Sequence, residues 1–374
     1  MRVSRRAATR SLPTPSGGSG CRLNWRIAAA LVFGLLLVGQ FPAPTLVLAA
    51  VLNGGGLQVG ALHTDLVAAD RALGANAAAF HALQEGRVDE AQNLLRATLG
   101  ANSNDAFAHQ LLCRVFYAQD VADKAIHQCE LAVAAANGGE LGSDNYLWLG
   151  RAYGLKARHA GPIAGFTLAR KVEASFSRAV ELNPTSVAAI NDLGEYYVDA
   201  PFVVGGGTDK AHALATRVMP RFPGAAHLLL ARIAVADNHT AAAESEFKQA
   251  INVDHTTDAW IDLAQFYQKQ SRPEDALAAI RSALAADRAH GPALVDAASI
   301  LTKVQRAPDV AERCLRDYLA SHAKSDAAPA FKVHLQLAKL LVTRKDLPDA
   351  NREIAAASAL AAAYTRNARS AQGL

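Results

Sequence analysis

Three cysteines lie beyond residue 52, namely Cys113, Cys129 and Cys314, and His109 stands one helical turn before Cys113. Thiols can pack as small apolar side chains, pair with one another or hold a metal. Cys113 and Cys129 fall on two consecutive helical stretches, and the register of each directs the sulfur inward. Buried free thiols are the first expectation. A Cys113–Cys129 disulfide is the second, because it would close a short loop of about 15 residues in an oxidising compartment. A metal held by His109, Cys113 and Cys129 is the third. It lacks a fourth ligand and any CxxC pair.

Nothing else in the chain assembles a reaction. The HExxH, GxSxG and CxxCH patterns and the nucleotide-binding fingerprints are missing, so no nucleophile is offered together with its base and no cofactor is implied. An enzyme is not expected. Single histidines such as His227 and His334 fall at packing positions of helices. Gly205-Gly206-Gly207 precedes a helix start at Thr208 or Asp209, which invites a phosphate-binding reading. It lacks the Gly-Lys-Ser/Thr ending, and Asp209 would repel an anion there.

The elements that must position these residues are helices. The 374-residue chain is 51% hydrophobic and only 6% aromatic. Its apolar share is mostly Ala and Leu, strong helix formers, and no stretch alternates apolar and polar residues for long. Self-similarity then appears. Trp260-Ile261-Asp262-Leu263-Ala264-Gln265-Phe266-Tyr267 is followed by Pro273-Glu274-Asp275-Ala276-Leu277, then Ile280 and Ala283. Tyr146-Leu147-Trp148-Leu149-Gly150-Arg151-Ala152-Tyr153 is followed by Phe176-Ser177-Arg178-Ala179-Val180-Glu181-Leu182-Asn183-Pro184. Leu337-Ala338-Lys339-Leu340-Leu341 is followed by Asp349-Ala350, Ile354 and Ala357. Small residues such as Ala264 and Ala276 suit the closest approach of two antiparallel helices, with Trp260, Tyr267 and Ile280 filling the space around them.

These segments resemble the tetratricopeptide repeat. The resemblance implies an all-α, TPR-like α-solenoid, a right-handed superhelix of about eight helix–turn–helix units. The units are read at 72–105, 106–139, 143–186, 187–223, 224–256, 257–290, 291–326 and 331–364. Two are too long. Unit three carries about ten extra residues between its helices, around 159–166, and unit four about five, around 200–207. Both stretches hold turn-forming Gly and Pro together with Ile163, Phe166, Phe202, Val203 and Val204, which a merely solvated loop would not carry. Loops between the helices of successive units lie on one edge, so Gly161–Phe166 and Pro201–Gly207 are expected to touch. Residues 201–211 also resemble a loop of exported bacterial repeat proteins such as the T component associated with TRAP-type solute transporters.

In the repeat family the first helix of each unit lines the concave face. By that register the face would show Phe107, Arg114 and Tyr117, then Leu147, Trp148, Arg151, Asn191, Glu195 and Asp199, then Arg232, Gln265 and Gln268. Arginines beside aromatics suit a peptide or carboxylate partner. The expected function is a scaffold binding proteins or peptides on this face and at Phe166 and Phe202, with a solute-binding accessory of an envelope transporter as the alternative.

Charge narrows the partners further. Residues 1–49 hold six of the 38 basic side chains and no acidic one, which leaves 32 basic against 34 acidic in the remainder. The body has no basic excess to bind nucleic acid. The arginines precede an apolar run, 27–52, that reads as a signal peptide cleaved after Ala49 or, alternatively, as a retained membrane tether. Either reading places the body outside the cytoplasm. The chain thus divides into 1–52 as signal or anchor, 53–71 as linker, 72–364 as solenoid and 365–374 as tail.

Overall fold

A computed structural model of the chain describes residues 74–372. The signal or anchor segment and the linker lie outside the described residues. Within them run seventeen α-helices, with 3-10 turns at Gly74–Asn76 and Phe202–Val204. The helices pair antiparallel in eight successive units: α1 (Ala77–Gln84) with α2 (Val88–Ala101), α3 (Ala106–Ala118) with α4 (Ala122–Ala135), α5 (Gly139–Ala157) with α6 (Pro162–Leu182), and α7 (Val187–Asp199) with α8 (Thr208–Val218). Then follow α9 (Pro223–Ala236) with α10 (Thr240–Asp254), α11 (Thr257–Lys269) with α12 (Pro273–Ala286), α13 (Ala293–Val304) with α14 (Pro308–Ala320), and α15 (Ala330–Thr343) with α16 (Leu347–Leu360). Residues read as a tail from 365 belong to a last helix, α17 (Ala362–Gln372), which packs on α16.

Local chemistry sets these boundaries. Proline opens α6, α9, α12 and α14, where its missing N–H costs nothing and its fixed φ suits the first turn. Asp105, Ser186, Thr256 and Asp346 each accept a backbone N–H from the first turn of the helix that follows. Ala264, Ala276, Ala338 and Ala350 are buried where paired helices approach. Glycine does the same at Gly150, where an added Cβ would lie 2.5 Å from the buried Phe176 ring. The first helices are buried along much of their length, whereas second helices such as α4 and α12 bury one stripe. Several consecutive first helices also touch one another across units, as α3 touches α5 and α11 touches α13. They form the inner wall of the solenoid.

The extra residues of unit three do not form a loop. They lengthen its helices to 19 and 21 residues, against 13 and 14 in unit two. Gly161 and Pro162 start α6 instead of prolonging a turn, so Ile163 and Phe166 sit on its first turns. The 201–207 segment is a true connection. The buried Tyr196 hydroxyl lies 2.9 Å from the Ala169 carbonyl oxygen and 2.8 Å from that of Val204, and so fastens the 3-10 turn to α6. Gly206 packs so tightly on Ala200 that an added Cβ would fall 1.9 Å from its carbonyl oxygen. The expected meeting of the two segments is thus displaced along α6, from Gly161–Phe166 to Ala169 and Glu173.

The ends of the solenoid meet. Side chains of units one and two bond to residues 326–364 across more than 200 positions of sequence. Eight units therefore close one turn into a ring.

Candidate functional site

The inner wall is built by side chains one helical turn apart on successive first helices. Trp148 on α5 is its aromatic centre. The Arg114 guanidinium lies 5.1 Å from its ring centroid, that of Arg151 lies 4.6 Å away, and Tyr117 meets it edge-on at 5.5 Å. Arg151 forks onto Asp192 at 2.6 and 3.3 Å. Arg232 reaches the buried Glu195 at 3.3 Å. Asn191 is buried beside them, Gln265 is half-buried further round, and Asp199 opens to solvent near Arg232 and Lys269. Leu147, placed on this face by the repeat register, is instead in the core at 3% exposure.

Arg114 is only 4% exposed and is held by Asp326 in a bidentate pair at 2.7 and 2.9 Å. Its charge is satisfied within the chain. Asp326 lies in the connection before α15, a position no repeat register marks. Asp192 was likewise not singled out by the sequence pattern, although it follows Asn191 on the same helix.

The wall becomes increasingly acidic toward α13. Burial raises the Glu195 carboxyl to about 7 despite Arg232. Burial, reinforced by neighbouring carboxylates, raises Asp258 to about 6 and Asp296 to about 8. Burial also raises Asp262, against the pull of Arg232 and Lys269. Desolvation leads in each case; neighbouring carboxylates add to it at Glu195, Asp258 and Asp296, whereas Asp262 faces only cations and Asp258 keeps its surface in solvent.

Cys113 and Cys129 are joined as a disulfide with Cα atoms 5.2 Å apart, which corrects the expectation of free thiols. The facing registers of α3 and α4 bring the two sulfurs together in the core of unit two. His109 takes no part in a metal set. Its Nδ1 contacts Gln128 at 2.8 Å and its Nε2 contacts the Ser103 carbonyl oxygen at 3.1 Å. The same step from first to second helix recurs at His227 with Glu246 and at His334 with Glu353, at 2.7 and 2.6 Å. These histidines tie the helices of their own units. Cys314 is a buried thiol, pushed up to about 11 by burial.

The amides of Gly205, Gly206 and Gly207 donate to the Phe202, Pro201 and Tyr197 carbonyls. The loop's N–H groups are therefore committed within the chain and are not presented to a phosphate. Around it the apolar edge is bare. Ile163 is 88% exposed, Phe202 84%, Val203 66% and Phe166 38%, while Val204 is buried. Phe166 and Phe202 therefore stand apart from the inner wall, on the edge formed by the start of α6 and the connection before α8.

No sequence-family profile matches the chain, and no curated protein matches it. Among solved structures it is similar to a thermophilic TPR protein of Thermus thermophilus, at 19% identity over 63% of this chain and 92% of that one, with a TM-score of 0.35. It is also similar to yeast Tom70, at 14% identity over 76% and 59% of the two chains and a TM-score of 0.44. A third likeness is to the C-terminal part of a TPR repeat-containing protein from Cytophaga hutchinsonii, at 14% identity over 66% and 95%, with a TM-score of 0.37. The resemblance of 201–211 to transporter-associated proteins finds no support among these likenesses.

Proposed function

We propose that this protein is a binding scaffold for protein or peptide partners, with the apolar edge of units three and four as the contact that carries the reading. Ile163, Phe166, Phe202 and Val203 hold large apolar surface in water on two neighbouring segments. Apolar surface left exposed on one edge in this way is a feature of interaction sites. The Tyr196 hydroxyl and the tight packing of Gly206 keep the connection fixed, so the patch is presented by a rigid support and loses little freedom on binding. The inner wall is the second surface, with the stacked Trp148 as its anchor.

The body acts outside the cytoplasm on this reading, because residues 1–52 combine arginines with an apolar run. The test is capture from an envelope extract by the wild-type chain and by Phe166→Ala/Phe202→Ala. Phe202 stands largely in solvent and Phe166 is partly packed at 38% exposure, so the double variant should melt within a few degrees of wild type, roughly what 1–2 kcal/mol shifts. Captured proteins should be lost. An unchanged set of captured proteins would place the functional surface elsewhere.

A further inference from the structure

Seven of the eight junctions around the ring join units that follow one another in sequence. The eighth, the seam between units one and two and the last two units, has no covalent connection. Its polar contacts converge on three carboxylates. Asp326 receives Arg114 through two bonds and Gln84 Nε2 at 3.0 Å. Asp120, at the α3–α4 turn, receives Lys332 Nζ at 3.0 Å and the Tyr364 hydroxyl at 3.1 Å. Asp89 receives the backbone N–H of Ala362 at 2.8 Å. Between them Gly86 abuts Ala330, where an added Cβ would fall 2.7 Å from the Ala330 nitrogen.

The halves of this seam are supported from behind. Asp326 sits on the long connection between α14 and α15. The buried Tyr318 hydroxyl fastens that connection, lying 2.7 Å from the Ala328 carbonyl oxygen and accepting the Ser325 N–H at 3.0 Å. On the other side, Arg114 directly follows Cys113, whose disulfide ties α3 to α4, and Asp120 lies in the turn between those helices. Each half is thus tied internally by contacts of its own unit. The polar contacts of the seam rest on a few charged groups and its close apolar packing on the Gly86–Ala330 approach, so two parts of the chain meet there without a covalent link, as the parts of a hinged pair do.

We propose that the seam is a gate: the ring opens and shuts between units 1–2 and units 7–8 while every other junction stays packed, with Asp326 as the group that holds it closed. A gate in the wall of a ring gives a polypeptide access to Trp148 and its neighbours without threading a free end. The gate is independent of whether the apolar edge binds a partner.

Amide hydrogen exchange on the full chain tests it without any partner. Asp326→Asn weakens the keystone. Exchange should rise about tenfold or more on both sides of the seam, at 84–89, 118–121, 326–332 and 362, and stay unchanged in α9–α12. Asp120→Asn is the second variant, because it removes the negative charge that pairs with Lys332 without stranding the buried Arg114. Residue 120 has φ +58°, a conformation that asparagine accepts. It should give the same pattern at smaller amplitude. Unchanged exchange at the seam in both variants would overturn the gate, and so would a rise spread evenly through all eight units.

Discussion

At position 296 an aspartate lies within electrostatic reach of Asp258 and Asp262, with Lys303 opposing them, and its carboxyl is pushed from the usual 3.8 to about 8 by burial first and by those carboxylates second. An acid whose folded-state pKa lies above its unfolded value binds more protons when folded. Its contribution to stability is full below the unfolded value and is lost as pH rises toward 8. Asp296→Asn should therefore raise the melting temperature at pH 8 and change it little at pH 4. The gain is on the order of 1–2 kcal/mol, well below the full shift, because the carboxylate keeps some solvent contact. Equal effects at the two pH values would show that the side chain titrates normally. Arg114, Trp148, Arg151 and Arg232 fall on one face by the register that the repeat resemblance implies, since side chains a turn apart on a helix share a face; the same register misplaces Leu147, which is in the core. It does not place the internal partners of those four. Asp326 lies more than 200 residues from Arg114, and no local pattern marks a contact made by closing a ring.

Among the elements, the helix pairs were legible because each repeats the same solution, a small residue at the crossing and large ones around it. Gly150, Ala264 and Ala338 show it in three units. Unit three misled because Gly161-Pro162 has the same composition in a turn as at a helix start, and only the packing of Leu168, Ala169 and Val172 selects the helix. The cysteines misled for a related reason. Two inward registers allow either thiols or a bond, and the separation of α3 and α4 decides between them. Unit two should depend on that bond. Replacing both, Cys113→Ser with Cys129→Ser, should cost about 3 kcal/mol on the chain-entropy account of a loop this short. Denaturant unfolding would read this as a fall in midpoint, and alkylation of the unreduced wild-type chain in denaturant should modify Cys314 but neither member of the pair. Labelling of all three would remove the disulfide from the account.

For the whole molecule, the seam and the bare edge say more than the repeats do. A stack of helix pairs explains why the chain folds, since no single pair can bury both of its faces. It does not explain why apolar side chains stay in water at 163, 166, 202 and 203. Topology is one test at this scale: a reporter active only outside the cytoplasm, fused after Leu374, should give signal. A strong signal from a reporter active only inside would reverse the localisation. The most direct test of the scaffold reading is photocrosslinking in cells from a benzoylphenylalanine placed at position 202, with the exposed position 281 on α12 as control. The account predicts a discrete adduct from 202 that Phe166→Ala removes and that position 281 does not give. No adduct from 202, or the same adducts from both positions, would contradict it.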